Sequence, residues 1–242
     1  MRSSITGRRA ALALAALALI YRCSPEPSAE ERVNPADYRA FFLWSGVRPP
    51  DYLANAETVY LLWGELRADD PSRIVALRRE VPRSPGPEIW LVVRAERLDW
   101  GEGAYRQLLA EATRWGRDNR LAGVQVDFDA STLRLGDYAN FLRGLRRRLP
   151  GDLRLSATGL MDWSSGGATS DLAGLEGVLD ELVVQTYQGR ATIPGYQRYL
   201  PSLERLEMPY RIGLVEGGEW KAPQSLAADP EFKGYVVFLK DA

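Results

Sequence analysis

The 242-residue sequence contains no histidine and a single cysteine, Cys23. Without histidine there is no Ser-His-Asp or Cys-His couple, no imidazole metal site and no imidazole switch near neutral pH. One cysteine closes no internal disulfide and builds no cysteine zinc site. An excess of either charge is missing too. The 31 basic and 32 acidic side chains leave a net charge of −1, which lacks the basic footprint of a nucleic-acid binder. No apolar run reaches the ~20 residues that span a bilayer. No glycine-rich phosphate loop follows the first apolar segment of the domain, and no run of acids has the ligand spacing of a Ca or Mg loop. Chemistry is therefore left to carboxylates, amides, hydroxyls, Lys and Arg. The expected ligand is polar and uncharged, with no cofactor and no metal.

What is present divides into three parts. In residues 1–23, Arg2, Arg8 and Arg9 precede an apolar run from Ala10 to Ile20, followed by Tyr21, Arg22 and Cys23. A basic stretch leading into a short apolar run is the layout of an export signal. Cys23 is a candidate for lipid attachment, although Tyr21 and Arg22 occupy positions where lipoprotein signals carry small residues. Removing residues 1–23 takes away four arginines and no acid, which moves the net charge from −1 to −5. Residues 24–36 are rich in Pro, Ser and Glu and read as a tether. These features predict an exported protein of the periplasm or cell envelope, with membrane attachment through the leader or Cys23.

Residues 37–242 form the predicted domain. Eight short runs rich in Val, Leu, Ile and aromatics read as buried strands: 40–44, 58–63, 89–93, 123–128, 153–158, 182–187, 210–215 and 234–239. Their near-continuous apolar character suits parallel strands covered on the outer face. Amphipathic spacing predicts helices over 104–119 and 137–149, and weaker patterns suggest helices over 72–80, 171–179 and 195–206. Eight strands alternating with helices predict a small (β/α)8 TIM barrel with some outer helices shortened or missing.

The most informative segment is Gly123-Val124-Gln125-Val126-Asp127-Phe128-Asp129. Strand alternation puts Val124, Val126 and Phe128 on the outer face, and Gln125, Asp127 and Asp129 on the inner face, rising to the barrel mouth. The carboxyl ends of barrel strands are where such enzymes keep their chemistry. Two nearby carboxylates in a poorly solvated site push one pKa upward, so that one holds a proton while the other stays ionised. The alternative is a structural pair locked to Arg94.

This segment resembles the fourth-strand signature of the chitinase-type glycoside hydrolases, in which a Gly leads into three acids spaced by two. Gly123 matches the Gly and Asp127 the middle acid. Gln125 stands where the first Asp would be, and Asp129 stands at the catalytic Glu. Val184-Gln185-Thr186-Tyr187 is similar to the sixth-strand motif of the same group, with Gln188 in place of the usual following acid. With Gln125 and the Asp-Phe-Asp-Ala ending, the chain is more similar to an uncharacterised family of exported bacterial barrels, a domain of unknown function related to the chitinase group. The resemblance implies an acid role for Asp129, substrate orientation by Asp127, and sugar contacts from Gln125, Gln185 and Tyr187. It covers roughly residues 38–242, but its specific motifs lie on two strands. Asp129 is one methylene shorter than Glu, which withdraws its proton by ~1.5 Å.

Aromatic and charged residues collect after the predicted strands. Trp44, Trp63, Trp100, Trp163 and Trp220 are five of the seven tryptophans, and broad aromatic faces pack on sugar rings. Trp44, Trp63 and Trp163 are the preferred subsite candidates, together with Arg94. Asp162 and Glu216 are reserve carboxylates, and Glu65 and Glu96 are further residues of the mouth. Three functions follow in order of preference. The first is a glycoside hydrolase-like barrel acting on an extracytoplasmic polysaccharide. The second is a carbohydrate-binding barrel without catalysis. The third is a structural or partner-binding protein of the envelope.

Overall fold

The computed structural model describes residues 31–240, apart from 48, 82, 84–85, 130–134, 165–173 and 204–205. The leader, Cys23 and most of the expected tether lie outside the described residues. All eight expected strands form. They are β1 (Ala40–Leu43), β2 (Thr58–Leu66), β4 (Glu88–Ala95), β5 (Arg120–Asp127), β6 (Arg154–Leu160), β7 (Glu181–Gln185), β10 (Tyr210–Val215) and β11 (Phe232–Phe238). Each pairs in parallel with its neighbours, and β1 pairs with both β2 and β11, which closes the sheet into a barrel. Three short strands are additional: β3 (Ile74–Ala76), and β8 (Tyr187–Gln188) paired with β9 (Ala191–Thr192).

The outer layer is thin. Among the described residues the long helices are α1 (Glu102–Asp118) and α2 (Leu135–Arg146), on either side of β5. Leu108, Ala112 and Trp115 of α1 and Tyr138, Leu142 and Leu145 of α2 are buried, as the 3.6-residue spacing predicts. The segment over 72–80, expected as a helix, instead contains β3, which runs antiparallel to the end of β2. The β-branched pair Ile74-Val75 favours this strand, and Gly64 permits it. An ideal Cβ at Gly64 would lie 2.7 Å from Ile74 Cγ2 and 3.0 Å from the Val75 carbonyl oxygen. Of the helix expected over 171–179, residues 174–178 form turns and 171–173 lie outside the described residues. The segment over 195–206 holds a 3₁₀ turn (Tyr196–Tyr199) and one α turn (Leu200–Leu203), a shorter version of the expected helix.

Residues 31–36, expected as the end of a tether, pack on the barrel. Val33 is buried, and its amide donates to the Gly218 carbonyl at 2.9 Å. Burying this apolar side chain draws the chain onto the wall four residues before the expected start of the domain at residue 37.

The core has two parts. One lies between the sheet and its outer covering and includes Val124, Val126, Leu108, Trp115 and Tyr138. The other fills the barrel and is built on aromatic rings. Phe42 stacks on Tyr60 at 6.4 Å between ring centroids, and Tyr60 on Trp90 at 5.8 Å. Below them, the Tyr60 hydroxyl donates to Glu181, whose other oxygen accepts from Arg211 Nε at 2.8 Å. The Arg154 guanidinium sits 5.0 Å over the Trp90 ring. Burial first, and then the Glu181 charge, hold the Tyr60 phenol well above its ordinary pKa, so it stays a donor.

Gly123 makes room for this stack. An ideal Cβ there would lie 2.0 Å from the Arg154 carbonyl oxygen and 2.8 Å from the Trp90 ring. Gly123→Ala must therefore displace β6 or Trp90, and overpacking of this kind typically destabilises by about 3 kcal/mol. Chemical denaturation should show a lower midpoint with an unchanged slope.

Candidate functional site

The site is built from the ends of the strands. Along β5, Val124 and Val126 pack outward, and the Tyr138 hydroxyl donates to the Val126 carbonyl at 3.0 Å. Gln125 and Asp127 therefore point into the barrel. Gln125 is fully buried and its amide donates to Ser156 Oγ at 2.9 Å. Its carbonyl oxygen Oε1 is buried with no partner among the described residues. One layer higher, Asp127 is 7% exposed. Thr158 fixes it: the hydroxyl accepts from the Phe128 amide at 3.2 Å and donates to Asp127 Oδ1 at 2.9 Å.

Burial pushes the Asp127 carboxyl up from 3.8 to about 6. The Thr158 hydrogen bond opposes this, the nearby Asp129 charge adds to it, and Arg94 lowers it again. Asp129, past the end of the strand, has a side chain 68% exposed, with Oδ2 3.8 Å from Arg94 Nη2. That separation is an ion pair without a hydrogen bond. The Arg94 guanidinium also lies 5.2 Å from the centre of the Trp44 ring.

These groups share one cleft at the carboxyl ends of the strands, with a volume of about 510 Å³. Trp44, Arg94, Asp127, Asp129, Gln185 and Tyr187 all line it. Tyr187 packs on Phe238 at 5.2 Å, and Gln185 Nε2 donates to its hydroxyl at 3.4 Å. Burial raises the Tyr187 phenol far above its ordinary pKa, and the Asp127 charge adds to the effect. Phe42, Phe238 and Tyr199 complete the walls. Thr158 is the residue that sequence reasoning missed and the site most needs. Its signal was present, since Ser156 and Thr158 alternate as inward polar residues on an apolar strand.

Other expected residues lie elsewhere. Along β2, Trp63 continues the outward alternation of Val59 and Leu61 and is buried in the outer core, while Tyr60 and Leu62 fill the barrel. Trp163 is buried with its ring edge-on to Tyr138 at 5.9 Å. Trp100 packs on Phe141 at 5.0 Å, and Trp220 stacks on Tyr196 at 5.1 Å. The Glu216 carboxylate accepts from the Lys240 amide at 2.9 Å, away from the cleft lining. Glu65 pairs with Arg67 at 3.1 Å. Glu96 accepts from the Ala68 amide at 2.7 Å and lines a smaller recess beside Asp127 and Asp129. The Asp162 side chain lies outside the described residues. Its backbone belongs to a 3₁₀ turn, Met161–Ser164, directly after β6. No group of three or more Cys, Asp or Glu among the described residues could hold a metal ion.

Residues 97–204 match the family model described as Domain of unknown function (DUF3142). The DUF3142 match begins before α1 and holds Asp127, Asp129, Gln185 and Tyr187, but not Trp44 or Arg94. No curated protein matches the chain. Among solved structures, a xylanase-alpha-amylase inhibitor protein in complex with trehalose is 9% identical, with a TM-score of 0.53 over 83% of this chain and 92% of that one. The Bacillus cereus spore cortex-lytic enzyme SleL is 16% identical, with a TM-score of 0.48 over 73% of this chain and 49% of that one. The chain thus spans about half the length of that enzyme. The chitinase domain of the Clostridium difficile spore coat protein CotE is 15% identical, with a TM-score of 0.49 over 76% of this chain and 64% of that one. The inhibitor, covered almost end to end, supports the barrel fold and nothing finer.

The Asp127 carboxyl couples the site to stability. Its folded pKa of about 6 lies above the ordinary 3.8. Between those values the folded chain keeps a proton that the unfolded chain has released, so stability falls as pH rises through the window. The span amounts to about 3 kcal/mol. Asp127→Asn keeps an acceptor for Thr158 and removes the titration. From about pH 4 to about pH 7 the unfolding free energy of the variant, relative to the native chain, should rise by about 3 kcal/mol, read by urea melts at each pH.

Proposed function

We propose that the protein is a glycoside hydrolase-like barrel that binds an extracytoplasmic polysaccharide across this cleft and acts on it through Asp127 and Asp129. The observation that carries the reading is the Asp127 carboxyl, buried at a strand end, pushed up to about 6 and facing the cleft beside a second carboxylate. A group with that pKa is half protonated at about pH 6, keeps a usable fraction of its proton toward neutral pH and can pass it to a glycosidic oxygen, while the second carboxylate serves the other half of the reaction. Burial favours Asp127 as the proton donor and the exposed Asp129 as the anion, the reverse of the roles that the resemblance implies. Trp44 offers a face to a sugar ring, and Gln185 and Tyr187 offer hydrogen bonds to its hydroxyls. Residues 1–23 are the proposed export leader, which places the glycan outside the cytoplasm.

A second reading is glycan binding without cleavage. The Arg94 guanidinium 3.8 Å from Asp129 favours it, because it engages the carboxylate that cleavage needs free. The inhibitor protein of the same fold was solved with a neutral sugar, trehalose.

Turnover of chitin-like and envelope glycans, followed by new reducing ends, tests both readings. Asp127→Asn should lower turnover by at least ~100-fold, the usual scale of a general acid. Trp44→Ala should weaken binding by about tenfold. Hydrolysis that survives both Asp127→Asn and Asp129→Asn would overturn the assigned roles. Binding by the native chain with no turnover would establish the second reading.

A further inference from the structure

A second cavity, more open and of about 1070 Å³, lies on the flank of the barrel beside the cleft. Arg78, Arg79, Arg83 and Arg114 line it, against only Glu80 and Asp118. Arg114 is already satisfied: its Nε donates to Glu111 at 3.0 Å, and a second nitrogen donates to the other Glu111 oxygen. The other three arginines have no ion-pair partner among the described residues. The sequence from Val81 to Pro87 contains no acid that could supply one.

Arg78 is the most telling of the three. It is half-buried, and its Nε is buried with no hydrogen-bond partner among the described residues. Desolvation is the sole cause that lowers its pKa, with no carboxylate opposing it. Its Nη2 makes a long hydrogen bond of 3.4 Å to the Trp44 carbonyl. A guanidinium withdrawn from water without a counter-charge is unfavourable unless an anion completes it. A planar fork of five donors matches the oxygens of a carboxylate, sulfate or phosphate.

The cavity is also coupled to the cleft. Trp44 lines the cleft, and the next two residues, Ser45 and Gly46, line the arginine cavity. Ser45 Oγ donates to the Leu77 carbonyl at 2.7 Å, which fixes this thin wall to the segment carrying Arg78. A chain-like ligand that lies on Trp44 can therefore place its next unit among the arginines.

Taken with the glycan-binding reading on which it rests, this geometry points to an acidic glycan: we propose that the arginine cavity is a subsite for an oxyanion group, a carboxylate or a sulfate ester, on the sugar next to the one held at Trp44. The neutral ligand expected from net charge alone is then too simple, because the local charge of this flank is opposite to that of the domain.

Calorimetric titration tests the proposal with three probes: a uronic acid tetrasaccharide, a sulfated tetrasaccharide and the carboxyl-reduced neutral counterpart of the first. At low salt at least one acidic probe should bind the native chain about tenfold more tightly than the neutral one, the scale of one charge-assisted hydrogen bond. The preference should shrink as salt is raised. It should be lost in Arg78→Gln and in the exposed Arg79→Gln, whose fold is not at risk. In Trp44→Ala all probes should weaken together while the preference remains. Equal affinity for acidic and neutral probes, or a preference that survives both arginine substitutions, overturns the oxyanion subsite and leaves the glycan reading standing. Absence of binding by every probe overturns both.

Discussion

The aromatic column inside the barrel decides where polarity can go. Phe42, Tyr60 and Trp90 fill the lower half of the lumen, and the Glu181–Arg211 pair with the Tyr60 hydroxyl closes it from below. Removing one partner of such a buried set leaves an uncompensated charge and is strongly unfavourable, typically by about 3–5 kcal/mol. The cleft that opens on the lumen among the described residues lies at the carboxyl ends of the strands. Inward polar side chains above the rings are desolvated from below, and their exposure grows toward the mouth. The fold creates this asymmetry before any catalytic residue is considered.

The polar ladder on β5 and β6 exploits that asymmetry by degrees. Gln125 and Ser156 sit deepest, paired with each other and wholly buried. Asp127 and Thr158 form the next rung, where burial is enough to raise a carboxyl to about 6 but not to seal it from the cleft. Asp129 reaches solvent. Two acids only two positions apart thus differ in environment because the strand carries them through the boundary between lumen and mouth. Such a gradient separates proton donor from anion without any histidine.

Much of this was legible in the sequence, because periodicity reports directly on burial. The eight apolar runs became the eight barrel strands, and the alternation of 123–129 placed Gln125, Asp127 and Asp129 on the inner side. The misreadings have local causes. Trp63 was expected at the mouth because it follows an apolar run, but it stays in step with Val59 and Leu61 on the outer face and is buried there. Residues 72–80 have apolar positions that suit a helix as well as a strand, and the β-branched pair Ile74-Val75 together with the space left by Gly64 selects the strand. The tryptophans were counted as a group, whereas their environments differ: Trp44 follows a four-residue strand that ends early and so stays at the cleft. Depth along β5, which sorts the two acids, depends on the register between strands and is not contained in the period of any one of them.

Trp44 connects the charges on its two sides. On the cleft side Arg94 lies over its ring and next to Asp129; on the flank Arg78 reaches its carbonyl. Asp127, Asp129, Gln185 and Tyr187 fall within the DUF3142 match, while Trp44, Arg94 and Arg78 come from strands and loops that precede it. The acids are carried at a rigid strand end, and the aromatic wall is carried on a connection after a short strand. Connections tolerate change more readily than strands do. A ligand that engages Trp44 must also settle where Arg94 goes. Arg94 against the ring leaves Asp129 in an ion pair, whereas on the proposed reading Arg94 drawn toward an anionic sugar would free the Asp129 carboxylate. Under the proposed function, holding a glycan and cleaving it would differ in the partner Arg94 takes when the cleft is full.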